Sequence, residues 1–190
     1  MHKTMPGIHI PVLGFAAYSG TGKTTLLTRI LPVMAARNLR VGLVKHAHHE
    51  FDIDRPGKDS YRLRRAGASQ VLLGSSQRWA LLVEHEVKGT KPLEFHVGHL
   101  DLDNLDLVLV EGFKTAAIPK IEVCRPSLGN PRLFEDDPHI VAVATDEPGA
   151  LQTDLPVFAL DDEEAIAEFI IHRFLDNIVL LKRTKLNTEP

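Results

Sequence analysis

Gly22-Lys23-Thr24 places an ammonium and a hydroxyl directly after a glycine, a combination that an ordinary turn does not need. It closes the run Ala17-Tyr18-Ser19-Gly20-Thr21-Gly22-Lys23-Thr24, which fits the phosphate-binding pattern of glycine, four residues, Gly-Lys and then Ser or Thr, apart from Ala17 at the opening position. Glycines at 20 and 22 let backbone N–H groups approach phosphate oxygens, and the helix that starts here adds its dipole to the anion site. In such a loop Lys23 reaches the β- and γ-phosphates and the Thr24 hydroxyl ligates Mg²⁺. The run therefore reads as the P-loop of a nucleoside triphosphate site, with Gly20, Thr21, Gly22, Lys23 and Thr24 against the nucleotide. Ala17 is a small departure that would matter only if the position required a positive φ.

A triphosphate site of this kind also needs an acidic residue at the end of a buried strand, to hold the metal or its waters. Glu111 answers to that, after the apolar run Leu107-Val108-Leu109-Val110 and before Gly112. A third segment, from Lys45 to Ser60, carries His46, His48, His49, Asp52, Asp54 and Lys58. It supports three readings: a transition-metal site of imidazole and carboxylate; a switch loop with Asp52 or Asp54 near Mg²⁺ and Lys58 near a phosphate; or a polar surface loop. Pro56-Gly57 within it marks a defined turn.

Asp146 ends the run Val143-Ala144-Thr145 late in the chain. A carboxylate there can accept from N1 and N2 of guanine, which makes Asp146 the candidate base reader. The composition of Asp146-Glu147-Pro148-Gly149 is equally that of a simple turn. Arg62, Arg64 and Arg65 beside Tyr61 could grip an anionic partner or form a solvated helix face. Trp79 could stack on a planar ring, or fill a core or an interface.

These residues need strands to end beside one another. Apolar runs of strand length alternate with helix-period segments, the pattern of an α/β, mostly parallel sheet covered by helices on both faces. Strands are expected at 12–16, 41–44, 70–73, 79–83, 107–110, 120–124, 140–143 and 157–160. Helices are expected from Lys23 to about Arg37, with Pro32 as a kink or strain inside it; at 60–66, stopped by Gly67; around 92–100; and from Glu163 to about Asn177, on the spacing of Ile166, Phe169, Ile170 and Phe174.

The 190 residues suffice for one domain, with its core at about residues 9–175. A net charge of −3 marks no general nucleic-acid binder. No apolar run reaches the roughly 20 residues that cross a bilayer, and the N-terminus lacks the layout of a secretory signal. The single Cys124 excludes an intramolecular disulfide and a multi-cysteine zinc site, and reads as a small buried hydrophobe. A cytoplasmic protein is expected.

Taken together, the residues resemble the molybdopterin-guanine dinucleotide biosynthesis adaptor proteins, the MobB family. The resemblance rests on Phe15 to Leu27 including Ala17, on Lys45-His46, His48-His49, Asp52-Ile53-Asp54 and Pro56 to Ser60, on Gln77 to Leu81 and on Val110 to Lys114. It implies a P-loop NTPase fold that binds GTP with Mg²⁺, hydrolyses it slowly at best and forms homodimers. It implies a role assisting the guanylyltransferase that joins GMP to molybdopterin, with contact to the molybdopterin itself left open. Carried over by position, Gly20, Gly22, Lys23, Thr24 and Thr25 bind phosphates and Glu111 is the acidic strand end, while no role follows for the histidines. Two alternatives stand beside it: an ATP-dependent small-molecule kinase or ligase, and a metallochaperone GTPase using the histidine segment.

Overall fold

The computed structural model describes residues 5, 7–47, 54–85, 89 and 91–175. The chain divides into two compact units, residues 1–46 with 92–190, and residues 47–91.

The larger unit is built on a six-stranded sheet: β1 (Val12–Ala16), β2 (Val41–Lys45), β5 (Leu107–Glu111), β6 (Lys120–Cys124), β7 (Ile140–Thr145) and β8 (Val157–Ala159), in the spatial order β2-β5-β1-β6-β7-β8. All pairs are parallel, so every carboxyl end lies along one edge. β5 explains why its sequence is continuously apolar: Leu107 to Val110 are all fully buried. Alternation sends Leu107 and Leu109 to one face and Val108 and Val110 to the other.

On the first face, α1 (Lys23–Ala36) and α4 (Glu163–Phe174) cover the sheet, α1 through Leu26, Leu27, Ile30 and Met34 and α4 through Ile166, Ile170 and Ile171. Pro32 lies inside α1, which runs on through it. A proline in a helix interior costs about 3 kcal/mol, whereas each fully buried large side chain contributes about 1.5–3 kcal/mol, so the four buried residues outweigh it. The Asp162 carboxylate accepts from the Ala165 N–H at 3.0 Å and caps α4. Arg37, at the end of α1, pairs with Glu164 and Glu168 of α4.

On the second face, α3 (Leu93–Val97) and irregular chain cover the sheet through Leu93, Val97 and Ile118. The helix expected around 92–100 is shorter because Gly98 ends it. α4 ends at Phe174 with Leu175 as its cap, short of the expected Asn177, and residues 176–177 lie outside the described ones.

Two buried charges on β6 organise the chain that follows it. Glu122 accepts from the Leu133 and Phe134 N–H groups at 2.9 and 2.7 Å, and burial pushes its carboxyl up from the ordinary value. Lys120, 1% exposed, donates to the Ala116 carbonyl at 2.6 Å and to Asp137 at 2.9 Å. Cys124 is partly buried beside Leu133 and Phe134.

The smaller unit holds α2 (Asp59–Arg65) and an antiparallel hairpin of β3 (Gln70–Gly74) and β4 (Trp79–Val83), in which Leu72 faces Leu81 and Gly74 faces Trp79. α2 stops as expected, with Gly67 at φ +115° just after its cap. One face of the hairpin carries Leu72, Trp79, Leu81 and Val83, all exposed, with Trp79 at 67%. Trp79 is therefore not a core residue: among the described residues nothing covers that face of the two-stranded sheet.

Candidate functional site

β1 is buried along its whole length and delivers the chain to Ala17 at the carboxyl edge of the sheet. Ala17 is buried and keeps a negative φ, so the position does not call for glycine. Gly20 and Gly22 do the turning, at φ +81° and +102°. Thr21 points inward, 1% exposed, its hydroxyl donating to the Tyr18 carbonyl at 2.9 Å. It shapes the loop, whereas Thr25 is exposed on the first turn of α1. No acidic side chain occupies that first turn and no side chain caps it, so the positive end of the helix faces outward with Gly22.

Lys23 folds back over the loop, its ammonium donating to the Ala17 and Tyr18 carbonyls at 3.2 and 3.1 Å. Its pKa is lowered, first by burial and then by Lys114 and Lys45, against the pull of Glu111. A cation held out of water near other cations gains most from an anionic ligand.

Glu111 ends β5, in register with Phe15 of β1 and Lys45 of β2. The Thr24 hydroxyl donates to Glu111 Oε1 at 3.1 Å, and Lys45 Nζ donates to Oε2 at 2.8 Å. A hydroxyl and a carboxylate brought together on one edge are hard oxygen donors, which fits Mg²⁺ held jointly with phosphate oxygens. Gly112 follows at φ +92°, and a Cβ there would lie 2.7 Å from the His46 Cβ, so both conformation and space require glycine. Phe113, at φ +49°, sets its ring 4.7 Å from that of His46 and 5.5 Å from that of His96. Lys114 places its ammonium 4.2 Å above the Tyr18 ring.

Asp146 follows β7, and Arg125 follows β6 on the neighbouring strand end. Arg125 Nε donates to the Thr21 carbonyl at 3.0 Å and its Nη1 to Asp146 Oδ2 at 2.5 Å. A cavity of about 300 Å³ opens there, lined by Gly22, Thr25, Leu26, Arg29 and Leu160 together with this pair. Its size lies at the lower end for small-molecule sites.

The structure thus gathers Gly20, Thr21, Gly22, Lys23, Thr24, Thr25, Glu111 and Asp146 on one edge, with His46 beside Gly112. His48, His49 and Asp52 lie outside the described residues. Asp54 and Lys58 belong to the smaller unit. There Asp54 Oδ1 accepts from the Ser60 hydroxyl at 2.8 Å and the Arg55 N–H at 3.0 Å, pinning the turn before α2. Lys58 stands at the N-cap of that helix. Among the described residues no group of three His, Cys, Asp or Glu side chains is placed to hold a metal ion, and no helix is long and apolar enough to cross a membrane. Sequence reasoning passed over Arg125, although a polar residue at the end of a strand and before Pro126 stands where open α/β sheets bind ligands.

Comparisons with known proteins place the chain in a family. The family model described as molybdopterin guanine dinucleotide synthesis protein B matches residues 12–146. The molybdopterin-guanine dinucleotide biosynthesis adapter protein of Escherichia coli (strain K12) is 47% identical over 163 residues, 85% of this chain and 92% of that protein. Its counterpart in Haemophilus influenzae is 43% identical over 170 residues, 87% of this chain and 92% of that protein. A crystal structure of molybdopterin-guanine biosynthesis protein B is 30% identical and matches with a TM-score of 0.66 over 86% of this chain and 99% of that one. The crystal structure of Bacillus subtilis MobB, 22% identical, shares the fold with a TM-score of 0.68 over 87% of this chain and 98% of that one.

Proposed function

The chain belongs to the molybdopterin guanine dinucleotide synthesis protein B (MobB) family, and from that membership we propose a GTP-binding adaptor of molybdopterin guanine dinucleotide biosynthesis, acting in the cytoplasm beside the guanylyltransferase that joins GMP to molybdopterin. The observation that carries the nucleotide reading is the meeting of Thr24 and Glu111 at 3.1 Å beneath a helix N-terminus, with Lys23 folded over the same loop. On this reading the backbone N–H groups from Gly20 to Thr25 and the Lys23 ammonium hold the phosphates. Thr24 and Glu111 would hold Mg²⁺, which would supply charge neutralisation for the phosphates. Lys45 steadies the second Glu111 oxygen. Asp146 takes the N–H edge of guanine. Hydrolysis is slow at best.

The proposed assembly is a homodimer formed through the β3–β4 hairpin. Among the described residues both hairpin edges are open and one face is apolar and exposed, and two strands alone are marginal in water. A second copy supplies the missing cover.

The test is calorimetric titration with GTP and ATP, in Mg²⁺ and in chelator. GTP should bind more tightly than ATP, more tightly with Mg²⁺, and not at all to a folded Lys23→Ala variant. Equal affinity for the two nucleotides would remove the guanine part, and unchanged affinity in Lys23→Ala would remove the site itself. ATP turnover faster than about one per second with a defined acceptor would favour a kinase instead.

A further inference from the structure

Arg125 makes two contacts that belong to two different parts of the nucleotide site. Its Nε is tied to the Thr21 carbonyl inside the phosphate loop, and its Nη1 lies on the Asp146 carboxylate across the cavity. Its Nη2 stands 3.6 Å from where a Gly22 Cβ would be. The guanidinium fork therefore occupies the space between the start of α1 and the proposed base reader. Toward a carboxylate, a guanidinium and the Watson–Crick edge of guanine offer the same thing, adjacent N–H donors in one plane. Adenine does not: it offers a single amine next to a ring nitrogen that accepts.

We propose that Arg125 is a built-in competitor for guanine at Asp146, a side chain of this chain that guanine displaces and adenine does not. This rests on the reading of Asp146 as the guanine contact. Seating guanine exchanges the Nη1 bond for the N1 and N2 donors, while Nε keeps the stem on Thr21. Adenine has no donor pair with which to make the exchange, so the ion pair stays closed against it. The competitor therefore weakens guanine binding and narrows the preference that Asp146 alone would give. The exchange also links the base to the phosphate loop, because the displaced side chain is anchored on the loop's own carbonyl.

The pair is about a third exposed on both sides, 38% for Arg125 and 31% for Asp146, so its removal has a modest effect. Arg125→Ala, and Arg125→Met to retain the stem, should bind GTP about two- to fivefold more tightly than the wild type, from the usual strength of such pairs. ATP affinity should change less than GTP affinity. Raising the salt from 50 to 500 mM should shrink the difference for GTP, since the competing ion pair is screened. Titrations of both nucleotides into wild type and variants, with thermal melts confirming folding, give the answer. Weaker GTP binding with ATP unchanged would mean that Arg125 holds the base rather than competes for it. An equal loss for both nucleotides would mean that it only shapes the loop. Either result overturns the proposal. Asp146→Asn separates this from the underlying reading: it should lose the GTP preference, and retention of that preference would show that Asp146 does not read the base, whatever Arg125 does.

Discussion

Lys120 gives its ammonium to Asp137 from a position with 1% exposure, so the pair has an asymmetric dependence on pH. Desolvation pushes the Asp137 carboxyl up, but the bonds from Lys120 and His139 prevail and hold it below the ordinary aspartate value of 3.8. A carboxyl lower in the folded than in the unfolded chain contributes stability that is present above the unfolded value and lost as pH falls through the folded one. Asp137→Asn should cost about 3 kcal/mol near neutrality, because it leaves a buried ammonium without its counter-charge. The penalty should shrink below about pH 4, where the wild-type carboxyl also protonates. Urea denaturation of both proteins from pH 3 to 7 checks this; a constant difference across that range would refute it. At this scale the sequence was legible where chemistry is local. Gly22-Lys23-Thr24 declares itself by spacing alone, and Glu111 by the apolar run before it. Asp54 was not legible, because an aspartate that anchors a turn through Ser60 and one that waits for a metal look the same in a sequence. Arg125 was passed over because its meaning depends on Asp146 and Thr21, neither of which is near it in the chain.

The strand ends carry the next level. The four apolar residues of β5 announce a strand buried on both faces, and α1 on one side and α3 on the other bury it. The spatial order was not legible: β1 pairs with β5 and β6, both of them distant in the chain, and apolar runs say nothing about which run lies beside which. The adjacency of β6 and β7, which joins Arg125 to Asp146, belongs to that hidden part. What the sequence does mark is the exit from β5. Gly112→Ala should destabilise by about 2 kcal/mol or more, combining a positive φ with an overpacked Cβ against His46. It should also weaken Mg²⁺-dependent GTP binding, since Glu111 is the preceding residue. Gly20→Ala is the comparison: its φ is +81° but nothing lies within 4 Å of the added carbon, so only the conformational cost of about 1 kcal/mol applies. Thermal melts that rank the two variants the other way would show that space at His46 is not the constraint.

For the whole molecule, the proposed dimer rests on the hairpin face. Leu72, Trp79 and Leu81 form an exposed apolar stripe on neighbouring strands, contiguous where ordinary surface apolar residues are scattered singly. Leu72→Asp with Trp79→Asp should convert the proposed dimer to monomer, with GTP affinity within about twofold of wild type because the nucleotide residues lie in the other unit. Light scattering coupled to size exclusion reads the mass, and a dimer that survives both charges would place the interface elsewhere. The sequence marked Trp79 as unusual but left its surroundings open, because exposure depends on what folds above a strand.

The chain leaves the nucleotide-binding unit at residue 46 and re-enters it at residue 92, so the smaller unit is an insertion in a fold whose sheet it does not enter. Segments attached in this way tolerate replacement in one piece. The insertion is therefore the part of the chain that can be cut out and exchanged without re-threading the strands proposed to hold the triphosphate.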